Sequence, residues 1–163
     1  MFYPLQIHEL RRETRIPAPP EEVFSFFSDA ANLDRLTPAW LGFRILTPPP
    51  IVMRRGALIE YSLKLYGVRF RWETEIKAWE PCRRFVDEQI RGPYLYWSHE
   101  HLFTPEGEGT RMADHVKYAV PGFVFEPLIH PLFIKGRLER IFEHRGRTIQ
   151  HIFGPGPAGE QRP

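Results

Sequence analysis

The chain has 163 residues, 42% of them hydrophobic and 26% charged, with a formal net charge of +2. That length suits one domain with a sizeable core. So slight a charge, with no basic run interleaved with aromatics, gives no footing for a nucleic-acid partner. Aromatic residues reach 14%, with thirteen Phe, six Tyr and four Trp, enough to wall a ligand cavity as well as fill a core.

The lone Cys82 excludes an intrachain disulfide framework and fits a reducing compartment. Residues 1–15 hold no apolar run followed by a small-residue cleavage site, and nothing approaches the ~18 uncharged apolar residues of a membrane span. The expected location is the cytoplasm.

In chain order, residues 8–16 alternate as a half-exposed strand that Pro17-Ala18-Pro19-Pro20 ends. Pro20 at a first helical position, with Glu21 and Glu22 behind it, opens a mostly buried helix carrying Val23, Phe24, Phe26 and Phe27. It fades near Ser28-Asp29, and residues 32–36 suggest a second short helix. Residues 56–65 form a strand, Tyr66-Gly67 a turn, and residues 68–78 a cleanly alternating strand with Arg69, Arg71, Glu73, Glu75 and Lys77 on its wet face. Three more strands follow over residues 83–90, 94–103 and 110–120. From about Pro127 the pattern turns helical, with a stripe through Leu138, Ile141, Arg145, Ile149 and Ile152 flanked by Phe142 and Phe153. Gly154-Pro155-Gly156-Pro157 ends it. The expected organisation is a single domain over residues 1–153 and a disordered tail over 154–163.

This order gives an α+β protein with an antiparallel sheet that one long helix must cover. The stretch from Ile16 through Pro17-Ala18-Pro19-Pro20 to Phe24, the Asn32-Leu33 pair, the Gly109-Thr110 hairpin and the long final helix resemble the helix-grip, START-like superfamily (SRPBCC). That superfamily includes lipid-transfer domains, birch-pollen-type allergens, polyketide cyclases and quinone-binding chaperones. The resemblance spans about residues 5–153, by order of elements more than by identity. It implies a curved sheet of about seven strands wrapped on the C-terminal helix, two short helices between the first two strands, and an internal cavity. It implies no cofactor and no metal, and it leaves binder and enzyme both open.

Strand parity says which residues face the cavity. Ile59, Tyr61, Leu63, Phe70, Trp72, Thr74 and Ile76 share the inward face of the first long hairpin. On residues 83–90 either Phe85, Asp87 and Gln89 or Val86, Glu88 and Ile90 point inward; each set buries a carboxylate, and the Phe85 set is preferred. Trp97 and Phe103 carry His99 and His101 inward, and Asp114 and Tyr118 follow on the last strand. A hairpin through Gly107-Glu108-Gly109 sets Asp114 directly or diagonally opposite the two histidines. From these inward faces the candidate ligand-binding residues are Tyr61, Phe70, Trp72, Thr74, Phe85, Asp87, Gln89, Trp97, His99, His101, Asp114 and Tyr118, with Ile141 and Arg145 of the helix.

Two imidazoles two residues apart on one strand suit metal ligation, with Asp114 as a third ligand. The reading preferred from sequence is a hydrogen-bonded His/Asp cluster that orients a small hydrophobic or amphipathic ligand such as a lipid, quinone, polyketide or other aromatic. In an enzyme, a cyclase or dehydratase, His99, His101 and Asp114 are the acid–base candidates. Residues 121–133 gather Phe123, Val124, Phe125, Leu128, Ile129, Leu132 and Phe133, read first as the irregular lead-in to the last helix. An apolar lip for transient membrane contact is the alternative, with Lys135, Arg137 and Arg140 beside it.

Overall fold

The computed structural model describes residues 5–121 and 130–155. Strand β1 (His8–Ile16) leads into helix α1 (Pro20–Phe27), a 3-10 turn (Ala30–Asn32), the short helix α2 (Leu33–Leu36) and a second 3-10 turn (Ala39–Leu41). Then come β2 (Arg44–Ile45), β3 (Leu58–Leu65), β4 (Val68–Glu80), β5 (Arg84–Arg91), β6 (Tyr96–Glu106) and β7 (Gly109–Ala119). A π-helical turn (His130–Lys135) runs into the long helix α3 (Gly136–Phe153). Among the described residues no helix is long and apolar enough to cross a membrane. Of the apolar lip read from the sequence, residues 122–129 lie outside the described residues, as does the tail from residue 156.

The seven strands form one antiparallel sheet in the order β1-β7-β6-β5-β4-β3-β2. Each hairpin strand pairs with its sequence neighbour, and β1 closes onto β7 instead of β2 because α1 and α2 carry the chain across to the far edge. The edges are blunted: β1 presents Arg11, Arg12, Glu13 and Arg15, while β2 is two residues long.

The turns follow the backbone geometry that right-twisted hairpins need. Tyr66 and Gly67 both take positive φ (52° and 80°), the pattern of a two-residue hairpin turn. At the far end of β1, Gly109 is obligatory for a different reason: a Cβ there would stand 2.5 Å from the Ile16 carbonyl oxygen. Beside it, the buried Thr110 hydroxyl donates to the Ala18 carbonyl at 2.7 Å, tying the start of β7 to the chain leaving β1.

Among the described residues, three clusters of buried side chains lie between sheet and helices, a small one of Ala30, Ile59 and Ile76 beside two larger ones. Phe24, Phe27, Phe85, Phe103, Met112 and Ile149 pack under α1. Leu63, Trp72, Trp97, Val116, Leu138 and Phe142 pack under the first half of α3. The helix turns Leu138, Phe142, Arg145 and Ile149 to the sheet, a four-three-four spacing, while Ile141 and Ile152 are only half-buried. The stripe read from the sequence therefore rotates towards Phe142. Outside this layer the Arg137 guanidinium is stacked between Trp40 and Tyr66, 4.7 and 4.2 Å from the ring centroids. The Tyr66 hydroxyl donates to the Phe133 carbonyl.

Candidate functional site

Between the inner face of the sheet, α3 and the segment from α1 to β2 lies a cavity with about 180 Å3 of room for the centre of a water-sized sphere. Strands β3 to β6 supply Tyr61, Trp72, Thr74, Phe85 and Trp97, and α3 supplies Leu138, Ile141 and Phe142. The roof, Leu33, Leu36, Leu41, Phe43 and Met53, comes from the short helices and the chain that follows them. Sequence parity could not find it, because those residues have no period to read.

One end of the wall is charged. Asp87, His99, His101 and Arg145 reach the cavity there, and Asp114 lies behind them. The register explains the cluster: His101 faces Asp114 on β7 and Phe85 on β5, while His99 faces Val116 and Asp87. The hydrogen bonds run diagonally. His99 Nε2 is 2.8 Å from Asp114 Oδ1, and His101 Nε2 is 2.9 Å from Asp87 Oδ2. Arg145 comes down from α3 and grips Asp114 with two donors, Nε to Oδ2 at 3.3 Å and Nη2 to Oδ1 at 3.2 Å. His101 Nδ1 is 3.3 Å from both Asp114 Oδ1 and Arg145 Nη2. The guanidinium also lies 4.8 Å from the Phe27 ring centre, and His101 stacks on Phe85 at 4.1 Å.

Charge balance assigns the protons. Burial alone would raise the Asp114 carboxyl, but the Arg145 charge and hydrogen bonds from His101 and His99 outweigh it and hold it well below the usual carboxylate range. Asp87 is likewise lowered, burial being outweighed by the His101 hydrogen bond and the surrounding cations. Two carboxylates, the buried Asp114 and the half-buried Asp87, facing one arginine leave a deficit of one positive charge. His101 makes it up: burial lowers its pKa, yet hydrogen bonds to Asp114 and Asp87 win and raise it. His99 is lowered, first by burial and then by the charge on His101, so it stays neutral and donates Nε2–H to Asp114. Higher on the wall, burial and then the Asp87 charge push the Tyr61 hydroxyl far up, keeping it neutral and hydrogen-bonded with Thr74 Oγ1 at 3.3 Å.

Ten of the fourteen candidates line the cavity: Tyr61, Trp72, Thr74, Phe85, Asp87, Trp97, His99, His101, Ile141 and Arg145. The inward face of β5 is the Phe85 and Asp87 face. Four candidates do not line it. Phe70 is half-buried, two residues from the exposed Val68 at the hairpin end. Gln89 turns back to brace the β5–β6 turn, donating to the Tyr94 carbonyl at 2.8 Å and accepting from its amide at 3.3 Å. Tyr118 packs behind Trp97, its hydroxyl 2.8 Å from His130 Nε2. Asp114 acts on the wall only through His99, His101 and Arg145. Reading Asp114 as a third metal ligand is corrected in the same way: the carboxylate that meets both histidines on the cavity side is Asp87.

A curved antiparallel sheet closed on a C-terminal helix, with a mostly apolar cavity between them, defines a START-like helix-grip protein. Residues 16–141 match the family of polyketide cyclase/dehydrase and lipid transport proteins, and the chain belongs to that family. No curated protein matches the sequence. Among solved structures the chain is similar to TTHA0849 from Thermus thermophilus, with 21% identity and a TM-score of 0.67, over 89% of this chain and 99% of that one. It is also similar to the Zhui aromatase/cyclase from a Streptomyces species, at 14% identity and a TM-score of 0.68 over 90% and 93% of the two chains. Ginseng major latex-like protein 151 from Panax ginseng follows at 12% identity and a TM-score of 0.66, over 91% and 99%. At these identities the likeness is one of fold.

Proposed function

We propose that the protein binds a small amphipathic molecule in this cavity, with an apolar ring-bearing body and one hydrogen-bonding end, and serves as its carrier or sensor. The observation that carries this reading is the asymmetry of the wall: aromatic and aliphatic over most of its surface, with polar groups gathered at one end. Trp72 Nε1 supports it, being buried with no hydrogen-bond partner among the described residues. An unmet buried donor costs ~1–3 kcal/mol, which an acceptor on a bound molecule recovers. The 180 Å3 of room exceeds the ~150 Å3 in which an apolar protein cavity holds benzene. Native mass spectrometry of protein purified from its own host, followed by extraction, tests the reading. A stoichiometric small molecule with an apolar ring system and a polar end supports it; bound species lacking an apolar body oppose it.

The opposed directions of His99 and His101 favour a second reading. Neighbouring groups whose environments push their pKa values apart are the arrangement that acid–base catalysis uses. Here a neutral imidazole and a charged one face the same space, as a cyclase or dehydratase requires. Incubation of the extracted molecule with fresh protein separates the two readings. Recovery unchanged supports carriage, and a converted product supports the enzyme.

A further inference from the structure

We propose that Asp87, His99 and His101 form a binding site for a divalent first-row transition metal, zinc or iron by their chemistry, with Asp114 orienting both imidazoles from behind. One donor atom from each of the three lies within 4.8 Å of the other two. Asp87 Oδ2 stands 2.9 Å from His101 Nε2 and 3.9 Å from His99 Nδ1. An ion with donors at ~2.0–2.1 Å needs donor–donor separations of roughly 3.3 Å in a tetrahedral site, between those two values.

The arrangement behind the donors is what sets this group apart from a chance meeting of polar side chains. Each ring brings its other nitrogen near one atom, Asp114 Oδ1: His99 Nε2 at 2.8 Å, and His101 Nδ1 at 3.3 Å, where it is equally far from Arg145 Nη2. When both of those nitrogens carry hydrogen, the lone pairs left over are His99 Nδ1 and His101 Nε2, the two that meet Asp87. A carboxylate accepting from the far side of each ligating imidazole is the usual way a protein fixes tautomer and ring angle at a metal. Arg145 holds that carboxylate in place with two hydrogen bonds. In the ion's absence a proton between His101 Nε2 and Asp87 takes its position.

Two imidazoles and one carboxylate suit zinc, iron and their neighbours better than magnesium or calcium, and they leave coordination positions open. All three donor residues line the cavity, so the open positions face whatever it contains. With an ion bound, the cluster of Asp87, Asp114 and Arg145 carries one net positive charge. A cavity molecule presenting an anionic oxygen, as a carboxylate or an enolate, would neutralise it.

The test uses the metal alone, so it stands apart from whether the proposed cargo is found. Chelator-treated full-length protein is titrated with Co2+ and followed by visible absorption and calorimetry. One Co2+ per chain with a d–d band is expected, discharged by Zn2+. Asp87→Ala should abolish the band, and Asp114→Asn should weaken binding by ~10–100-fold. The variant His115→Gln, which alters the exposed His115–Glu9 pair on the outer face, should change neither. Cu2+ bound to the unaltered protein gives a readout independent of any variant's folding, namely hyperfine coupling from two imidazole nitrogens. Absence of saturable binding, equal binding by Asp87→Ala, or coupling from fewer than two nitrogens overturns the proposal.

Discussion

Replacing Arg145 by Met probes the whole charged end of the cavity. The substitution keeps most of the side chain's bulk but removes the one fixed cation, leaving Asp114 and Asp87 with only the protons of two imidazoles. Taking one partner from a buried ion pair costs ~3–5 kcal/mol, because the other charge stays buried. The lower end applies here, since Asp114 keeps its bond to His99 at 2.8 Å and its contact with His101 at 3.3 Å. About 1 kcal/mol of the loss comes from the cation's position over Phe27. The deficit depends on pH. With the arginine gone, charged His101 is the one cation left between two carboxylates, so protonating His99 as the pH falls restores the balance. The expected result is a loss of about 3 kcal/mol at pH 8 that shrinks visibly by pH 6. Urea unfolding of chelator-treated protein, followed by tryptophan fluorescence, measures it. The double variant Asp114→Asn/Arg145→Met should recover part of the loss, because it no longer buries an unmatched carboxylate. A loss under ~1 kcal/mol, the scale of an exposed pair, or one no smaller at pH 6, refutes the reasoning.

The two histidines also shape the stability of the unaltered, chelator-treated protein. His99 is lowered from 6.5 in the folded state, so its contribution is complete above 6.5 and falls away as pH drops through its folded value. His101 is raised from 6.5, so its contribution is complete below 6.5 and is lost as pH rises through its folded value. Together they place the histidine-linked maximum near pH 6.5, and urea midpoints between pH 5 and 9 should show it; a flat profile counts against the assigned protonation. Gly109→Ala forces a methyl to within 2.5 Å of the Ile16 carbonyl oxygen and should cost ~1–3 kcal/mol by strain, whereas Gly146→Ala on α3, with nothing within 4 Å, should not destabilise. Phe142→Ala should cost about 2 kcal/mol, less than the ~3–5 typical of a sealed core, because one side of the ring already borders open space. It should also admit a bulkier molecule, read as bound mass after extraction.

Much of the fold is legible in the sequence because the strands alternate cleanly. Trp72, Thr74 and Ile76 against Arg71, Glu73 and Glu75 admit one reading, and the short turn at Gly107 carries that reading into a register that pairs His101 with Asp114. The β5 strand resisted because both of its faces carry an acid, and only tertiary partners separate them: Asp87 finds His101, while Glu88 stays on the outer face. Arg145 could be seen among apolar neighbours on the helix, yet its partner is 31 residues away on a different element, and no local period reports how a helix docks on a sheet. Phe70, Gln89 and Tyr118 show the limit of parity itself. A side chain can lie on the inner face and still sit beyond the cavity, brace a turn, or pack behind the wall.

The stacked Arg137, Trp40 and Tyr66 join three elements that also carry cavity residues one position away, namely Leu138 on α3, Leu41 before β2 and Leu65 on β3. None of the three stacked residues lines the cavity itself. The contacts that fasten this end of the chamber are therefore separate from its charged end. Under the proposed carrier reading, loosening the stack is expected to shorten the residence time of a bound molecule while the hydrogen bond between His99 and Asp114 stays in place.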